Sequence, residues 1–506
     1  MQTSFKGRLS GHACLRASVM LMAFLICCTY LQGQVYPAPV GLKPSAQYRV
    51  KVNGKDCFVY DSPVPAAYCM MDFTGPLDIE IISARDVKWV DLRPRSSGVQ
   101  ARFTDSIIRL RLTKPMTLSL ELNGSLKIPL FIFANPPEKN KPMRNSPGVH
   151  YFESGKIHYP GLIEMKSGET VYIEGGAVVV GVIHAKNATN IRIAGRGVLD
   201  GSFNIKLNPE IIRTGNLDQI RSDTGGSYHR FIELENCSDV TVEGITLHNS
   251  TSWQIVPIQC TQVTIDGVRI ISDQASDDGI DVVHSSKVRI RNAFIRTKDD
   301  CVVVKSYLTD STIEGSHDVV VEKCVFWNAL WGNALEVGFE LNAKEVYDIY
   351  FRDCDIIHVE AGAAMSIHNA GKAVVRNVQF SDIRIEDARQ KLFDLSIVRS
   401  QYSLDGARDA EERKRLYLEG AWDGVLKIPP GQEANHANFR GQIRDIRFRN
   451  IQITDGLFPY SVFYGYDARH DIRGVVIENL QVHGKKVTSI PGARLYQENT
   501  SGTVLK

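Results

Sequence analysis

The sequence predicts an all-β protein, an N-terminal β-sandwich followed by a right-handed parallel β-helix. Three observations predict it. A nine-residue phrase recurs from residue 190 onward, short strands in a different rhythm fill residues 36–140, and 40 glycines and 20 prolines in 506 residues make the chain rich in turns. The chain is 43% hydrophobic and 23% charged, with a formal charge of +2, which excludes an intrinsically disordered protein. No run of Lys and Arg supplies the electrostatic footprint of a nucleic-acid binder, so no nucleic-acid partner is expected.

Taken in chain order, residues 1–34 read as a secretory signal peptide. Lys6, Arg8 and Arg16 precede a short apolar run from Ala17 to Cys28, which gives way to the polar exit around Gly33. The run is shorter than the roughly 20 apolar residues that span a bilayer, so no stable membrane insertion is expected. A secreted or periplasmic protein follows. Seven cysteines remain beyond the leader: Cys57, Cys69, Cys237, Cys260, Cys301, Cys324 and Cys354. An odd number cannot be fully paired, and no CxxC pair suggests zinc. A Cys57–Cys69 bridge stays open as one alternative to burial as free thiols.

Residues 35–140 form the expected sandwich. YRVKVNG, CFVYD, LDIEIIS, VKWVDLRP, IIRLRL, MTLSLELNG and IPLFIF are short strands at roughly even spacing. The polar, proline-containing stretch at 135–148 reads as a linker.

Residues 141–500 form the expected β-helix. The phrase is DVTVEGITL at 239–247, QVTIDGVRI at 262–270, KVRIRNAFI at 287–295, DVVVEKCVF at 318–326, DIYFRDCDI at 348–356 and NVQFSDIRI at 377–385, with later copies at 445–453 and 474–482. Each copy alternates as a strand does and carries turn residues in its middle. Starts between 239 and 377 fall 23 to 31 residues apart, a period that means stacked coils. Helical repeats are disfavoured by the period-2 pattern and the abundance of Val, Ile and Thr. A leucine-rich repeat lacks its signature here, and a propeller blade needs a longer period. Cys324 and Cys354 share a phrase position and are expected to stack. An insertion is expected at about 386–440.

Two consecutive coils carry Ser276-Asp277-Asp278-Gly279-Ile280-Asp281 and Thr297-Lys298-Asp299-Asp300-Cys301. Neighbouring coils stack about 4.8 Å apart, which places these segments side by side. Clustered carboxylates repel, so one pKa rises while another group stays ionised, as paired acid and base catalysis requires. Asp residues also cap turns and bind calcium, and both remain alternatives. Asp277 and Asp281 in particular fit turn caps.

NSTSWQI (249–255), SDDGIDV (276–282) and TKDDCVVVKS (297–306), in that order on the repeats, resemble the core of glycoside hydrolase family 28, the polygalacturonases, with their pectin-lyase-like β-helix. The N-terminal segment, with SPVPAAYCMMDF, DLRPRSSGV and FIFANPPE, resembles family 49 of the same clan, the dextranases and isopullulanases. The resemblance implies a glycoside hydrolase acting by inversion on a polysaccharide or oligosaccharide. It implies Asp299 as general acid, and Asp278 with Asp300 as the pair that activates water. Inversion is expected to separate the carboxyl groups by about 6.5–9.5 Å, which strand spacing and side-chain splay can supply.

Two departures bear on substrate. Asn333, in Trp331-Gly332-Asn333, stands where family 28 has a histidine. Met365-Ser366-Ile367-His368-Asn369 stands where it has the Arg-x-Lys clamp for a uronate carboxylate. Both point towards a neutral glycan. The expected substrate-binding set is Trp253, Lys305, Tyr307, Trp331, Asn333, Glu336 and His368. The aromatics, with Trp327, stack on sugars or pack in the core. Lys305 steers a carboxylate, binds a hydroxyl or decorates the surface. Glu336 adds an acid, and His284 and His368 also read as structural. No cofactor and no metal are expected. A polysaccharide lyase and a non-catalytic glycan-binding β-helix are the alternatives to the hydrolase.

Overall fold

The computed structural model describes residues 33–203 and 230–506, apart from 63, 275, 311, 407–410, 413, 416–424 and 429. The leader expected at 1–34 therefore lies almost wholly outside the described residues.

Two antiparallel-rich sheets come first. One is ordered Gln34–Val35, Ala66–Asp72, Ser125–Asn135, Met116–Leu122, Val90–Arg93, with Val59–Ser62 also on Ala66–Asp72. The other is ordered Lys55–Cys57, Tyr48–Val52, Leu77–Ser83, Ile107–Leu112, Arg102–Thr104. Leu77–Ser83 alternates between core and surface, as a strand with one wet face should. Ala66–Asp72 is buried along its whole length because both of its faces are covered. Ala67, Cys69 and Met71 enter the sandwich core, while Ala66, Tyr68 and Met70 pack against the β-helix. Trp327, a candidate sugar platform, is instead buried in that second cluster, edge-on to Phe131. Cys57 and Cys69 are free buried thiols, so the possible bridge is not formed.

From Val149 onward the chain winds as a parallel sheet in which each strand from Val178–Lys186 to His317–Glu322 pairs with the third strand ahead, giving three faces per coil there. The phrase encodes two corners of each coil. Its first residue is left-handed in every copy from Asn190 through Asp239, Gln262, Lys287, Asp318, Asp348, Asn377 and Asp445 to Gly474. Its sixth residue also has positive φ, as in Gly244, Gly267, Asn292, Asp353, Asp382, Asn450 and Asn479. Asn, Asp and Gly tolerate that conformation best, which is why they recur at these points.

Side chains stack coil upon coil between the corners. Phe351, Phe380 and Phe448 are in register, with ring centroids 4.9 and 5.1 Å apart. Cys324 lies one coil from Cys354, as their shared phrase position predicts. At another corner the backbone N–H of Cys260 donates to Ser285 Oγ (2.9 Å), and that of Ser285 to Ser316 Oγ (3.2 Å). The expected insertion at about 386–440 needs correction at its start. Lys391–Ile397 is a full rung, pairing with Ala363–Asn369 and Tyr460–Tyr464. Its alternation, Leu395 and Ile397 inward and Asp394 and Ser396 outward, lies outside the nine-residue phrase. Within the 386–440 segment Glu433–Ala437 is a short helix.

Candidate active site

One face of the helix stacks Ile255–Ile258, Ile280–Val283, Val302–Ser306, Leu335–Leu341, Ala363–Asn369 and Lys391–Ile397. Inward positions are Ile280, Val302, Leu335, Met365 and Phe393. Outward positions form the row Asp281, Val303, Glu336, Ser366 and Asp394. The turns entering three of these rungs carry Asp278, the Asp299-Asp300 pair and Trp331-Gly332-Asn333.

Asp278, Asp299 and Asp300 converge. One carboxylate oxygen from each lies within 4.8 Å of the others. Asp278 and Asp300 are buried and Asp299 is partly exposed. This separation is shorter than the 6.5–9.5 Å expected for an inverting pair. The side chains lean together over a shared point instead of splaying across the coil spacing. Gly332 makes room for the cluster: its φ is +68°, and a Cβ there would stand 2.4 Å from Asp300 N and 2.5 Å from Asp299 Oδ1.

The surroundings separate the three electrostatically. Lys305 Nζ lies 3.0 Å from Asp278 Oδ2 and 3.1 Å from Asp281 Oδ1. It also sits 3.7 Å from the centroid of the Trp253 ring. Burial pushes the Asp299 carboxyl well above its ordinary value, and the charge of Asp278 adds to that. Burial, then Glu336, Asp299 and Asp278, do the same to Asp300. Burial and the Asp278 charge also raise Asp281. Asp278 accepts directly from the Lys305 ammonium.

Asp277 is the turn cap that the sequence allowed. It accepts from the backbone N–H groups of Lys298, Asp299 and Gln274 at 2.9, 2.9 and 2.8 Å. Burial raises its pKa to about 6.

The expected substrate-binding residues divide into two groups. Trp253 and Tyr307 are partly exposed and 6.2 Å apart, and Trp331 is an exposed aromatic beneath the Lys298 ammonium. These three can meet a sugar. Lys305 is a correction: it is buried and spends its charge on Asp278 and Asp281. Asn333 is buried behind Asp300, to whose Oδ1 its backbone N–H donates at 2.6 Å, and its own Oδ1 accepts from Ala363 N at 2.8 Å. Glu336 is buried, accepting from Ser366 and pairing with His368 Nδ1 at 3.0 Å. Asn333 and Glu336 therefore support the carboxylates from behind. His368 is also largely buried, but one edge lines a pocket. His284 is structural, its Nδ1 facing Glu314 O at 2.9 Å and its Nε2 accepting from Leu308 N. Sequence reasoning missed Arg230, whose guanidinium lies over Trp253 at 4.3 Å, and Asp394, which extends the outward row. Arg230 directly precedes a rung, which was its only signal.

The Asp trio and His184, Glu233 and Glu235 are groups whose atoms lie close enough to hold an ion. In both, cations already stand alongside: Lys305 in the first, Arg230 and Lys186 in the second. The donors thus carry less free charge than a hard-cation site needs.

Residues 154–395, which contain the whole cluster, match the profile of glycosyl hydrolases family 28. The match takes in just under half of the chain. A polygalacturonase of Juniperus ashei is 23% identical over 276 residues, 54% of this chain and 51% of its own length. The chain thus spans about half the length of that curated relative. Two solved structures share the fold over 94% of this chain and 98% of theirs. Dex49A from Penicillium minioluteum does so at 12% identity with a TM-score of 0.62, and the family 28 exopolygalacturonase of Yersinia enterocolitica at 15% with a TM-score of 0.50. Both alignments cover sandwich and β-helix together. Among the described residues no helix is long and apolar enough to cross a membrane.

Proposed function

We propose that this protein is an exported polysaccharide hydrolase in which Asp299 donates a proton to the leaving glycosidic oxygen while Asp278 and Asp300 activate water. The observation that carries this reading is the convergence of three carboxylates with a single buried ammonium, bound to Asp278. Asp299, the most open of the three and shifted upward by burial, suits a proton donor. Two carboxylate oxygens up to 4.8 Å apart can hold one water between them through hydrogen bonds of about 2.8 Å each. Attack by that water breaks the glycosidic bond, the pair takes its proton, and Asp299 gives its own to the departing hydroxyl. Inversion follows if that water is the nucleophile.

The short separation favours one second reading. Carboxyl groups about 5 Å apart suit a retaining enzyme in which a carboxylate attacks the sugar itself. The likeness of residues 154–395 to family 28 supports the water-mediated route.

The test of roles is substitution with Asn. Asp278→Asn, Asp299→Asn and Asp300→Asn should each lower kcat by about 10²–10⁴-fold. An aryl glycoside with a good leaving group needs little protonation, so it should restore Asp299→Asn far more than Asp278→Asn. Equal rescue of both would remove the assignment. An unsaturated product with loss of activity on chelation would instead mark a lyase.

A further inference from the structure

On the C-terminal side of the carboxylates lies a pocket of about 150 Å³, lined by Phe339, His368, Lys391, Asp394, Ser396 and Tyr464, with valine side chains completing the wall. Asp394 follows Glu336 and Ser366 in the outward row, three rungs from Val303. At about 4.8 Å per rung, Asp394 lies about 14 Å along the helix axis from the Val303 rung, which the Asp299-Asp300 turn enters. That is the reach of a sugar chain already held by the carboxylates.

The charges in this pocket cancel. His368 pairs through Nδ1 with Glu336 Oε1 at 3.0 Å and through Nε2 with Asp394 Oδ2 at 3.1 Å. Burial alone would depress the imidazole pKa, but Glu336 and Asp394 outweigh it and hold the ring protonated. Lys391 Nζ also pairs with Asp394. Ser396 Oγ donates to Asp394 Oδ1 at 2.6 Å. Two cations thus meet two carboxylates, and both imidazole nitrogens are committed. An incoming uronate would find no surplus positive charge and would face the Asp394 carboxylate. The lining offers a neutral sugar a carboxylate, an ammonium and a hydroxyl, with two aromatic rings beside them. Phe339 is held flat on His368, with centroids 4.6 Å apart at 18°, and Tyr464 is 36% exposed.

We propose that this pocket is a sugar subsite that accepts an uncharged sugar unit and turns away a uronate, with Asp394 as the group that reads its hydroxyls. The proposal rests on the hydrolase reading of the carboxylate cluster and deepens it by naming the class of substrate.

Affinity electrophoresis of the full chain tests it through gels cast with dextran, pullulan, galactan, polygalacturonate or carboxyl-reduced polygalacturonate. The expected result is retardation by at least one neutral polymer and none by polygalacturonate. Asp394→Asn should weaken the neutral interaction by at least roughly tenfold, since a hydrogen bond to a charged group contributes about 1.5–3 kcal/mol. The same substitution leaves the pocket with a net positive charge and should introduce retardation by polygalacturonate. Tyr464→Ala, at a partly exposed position, should weaken neutral binding and serves if Asp394→Asn does not fold. Retardation chiefly by polygalacturonate, no retardation by any neutral polymer, or neutral binding indifferent to both substitutions would overturn the subsite. Failure of the hydrolase reading would look different: retardation by a neutral polymer that releases no reducing ends.

Discussion

Lys305→Met is the most revealing perturbation of this molecule. Methionine keeps the length of the side chain and removes the ammonium that stands 3.0 Å from Asp278 and 3.1 Å from Asp281. All three side chains are almost wholly enclosed, at 6%, 4% and 0% exposure. Deleting one member of a buried ion pair leaves an uncompensated charge and costs about 3–5 kcal/mol. The protein can limit that cost by protonating the carboxylates that lost their partner, and a protonated carboxyl cannot act as a base. Urea unfolding followed by tryptophan fluorescence should therefore show a lower midpoint. The acidic limb of kcat/KM should move to higher pH, and kcat at neutral pH should fall about 10²–10⁴-fold. Adding Asp281→Asn removes one of the two carboxylates that lost their partner. Stability should recover in part, while activity should not return to the wild-type level. An unchanged unfolding midpoint with activity within about twofold of wild type would refute the ion-pair reasoning.

Two further outcomes follow from groups shifted by burial. Asp299→Asn should unfold at a higher temperature than wild type at pH 7, and the gain should shrink towards pH 4. The folded protein holds Asp299 protonated above the pH at which the unfolded chain releases that proton, so wild-type stability falls as pH rises through this range; equal midpoints at pH 7 would contradict it. His358 joins sandwich to β-helix, pairing with Glu121 at 3.0 Å and Asp387 at 2.9 Å. Burial opposes its charge, but Glu121 and Asp387 prevail and raise its pKa. Its contribution is fully present below about pH 6.5 and is lost as pH rises through the folded value. His358→Gln should accordingly narrow the difference in thermal midpoint between pH 6 and pH 9, and an unaltered difference would exclude His358 as its source.

Much of this molecule was legible as text because the β-helix writes its geometry into single residues. The Asn, Asp and Gly of the phrase stand where φ must be positive, so a sequence pattern and a corner of the coil are the same fact. The pairing of Ile280 with Val302 then aligns Asp278 with Asp300, as the interval between their segments implied. What could not be read was the direction and company of polar side chains. Lys305 looks like a cleft cation in sequence, yet its ammonium is consumed by two aspartates that belong to the preceding coil. The rung Lys391–Ile397 departs from the phrase, which hid Asp394. The carboxylate separation depends on rotamers over a glycine at 332, and strand spacing alone overestimates it.

The central claim is that water, held between Asp278 and Asp300, attacks the sugar directly. Time-resolved NMR of the anomeric protons during the first moments of hydrolysis, before mutarotation, tests it most directly. The first-formed product should carry the anomeric configuration opposite to that of the bond cleaved. A first product of the same configuration would contradict the account and establish the carboxylate-nucleophile route that the short oxygen separation also permits.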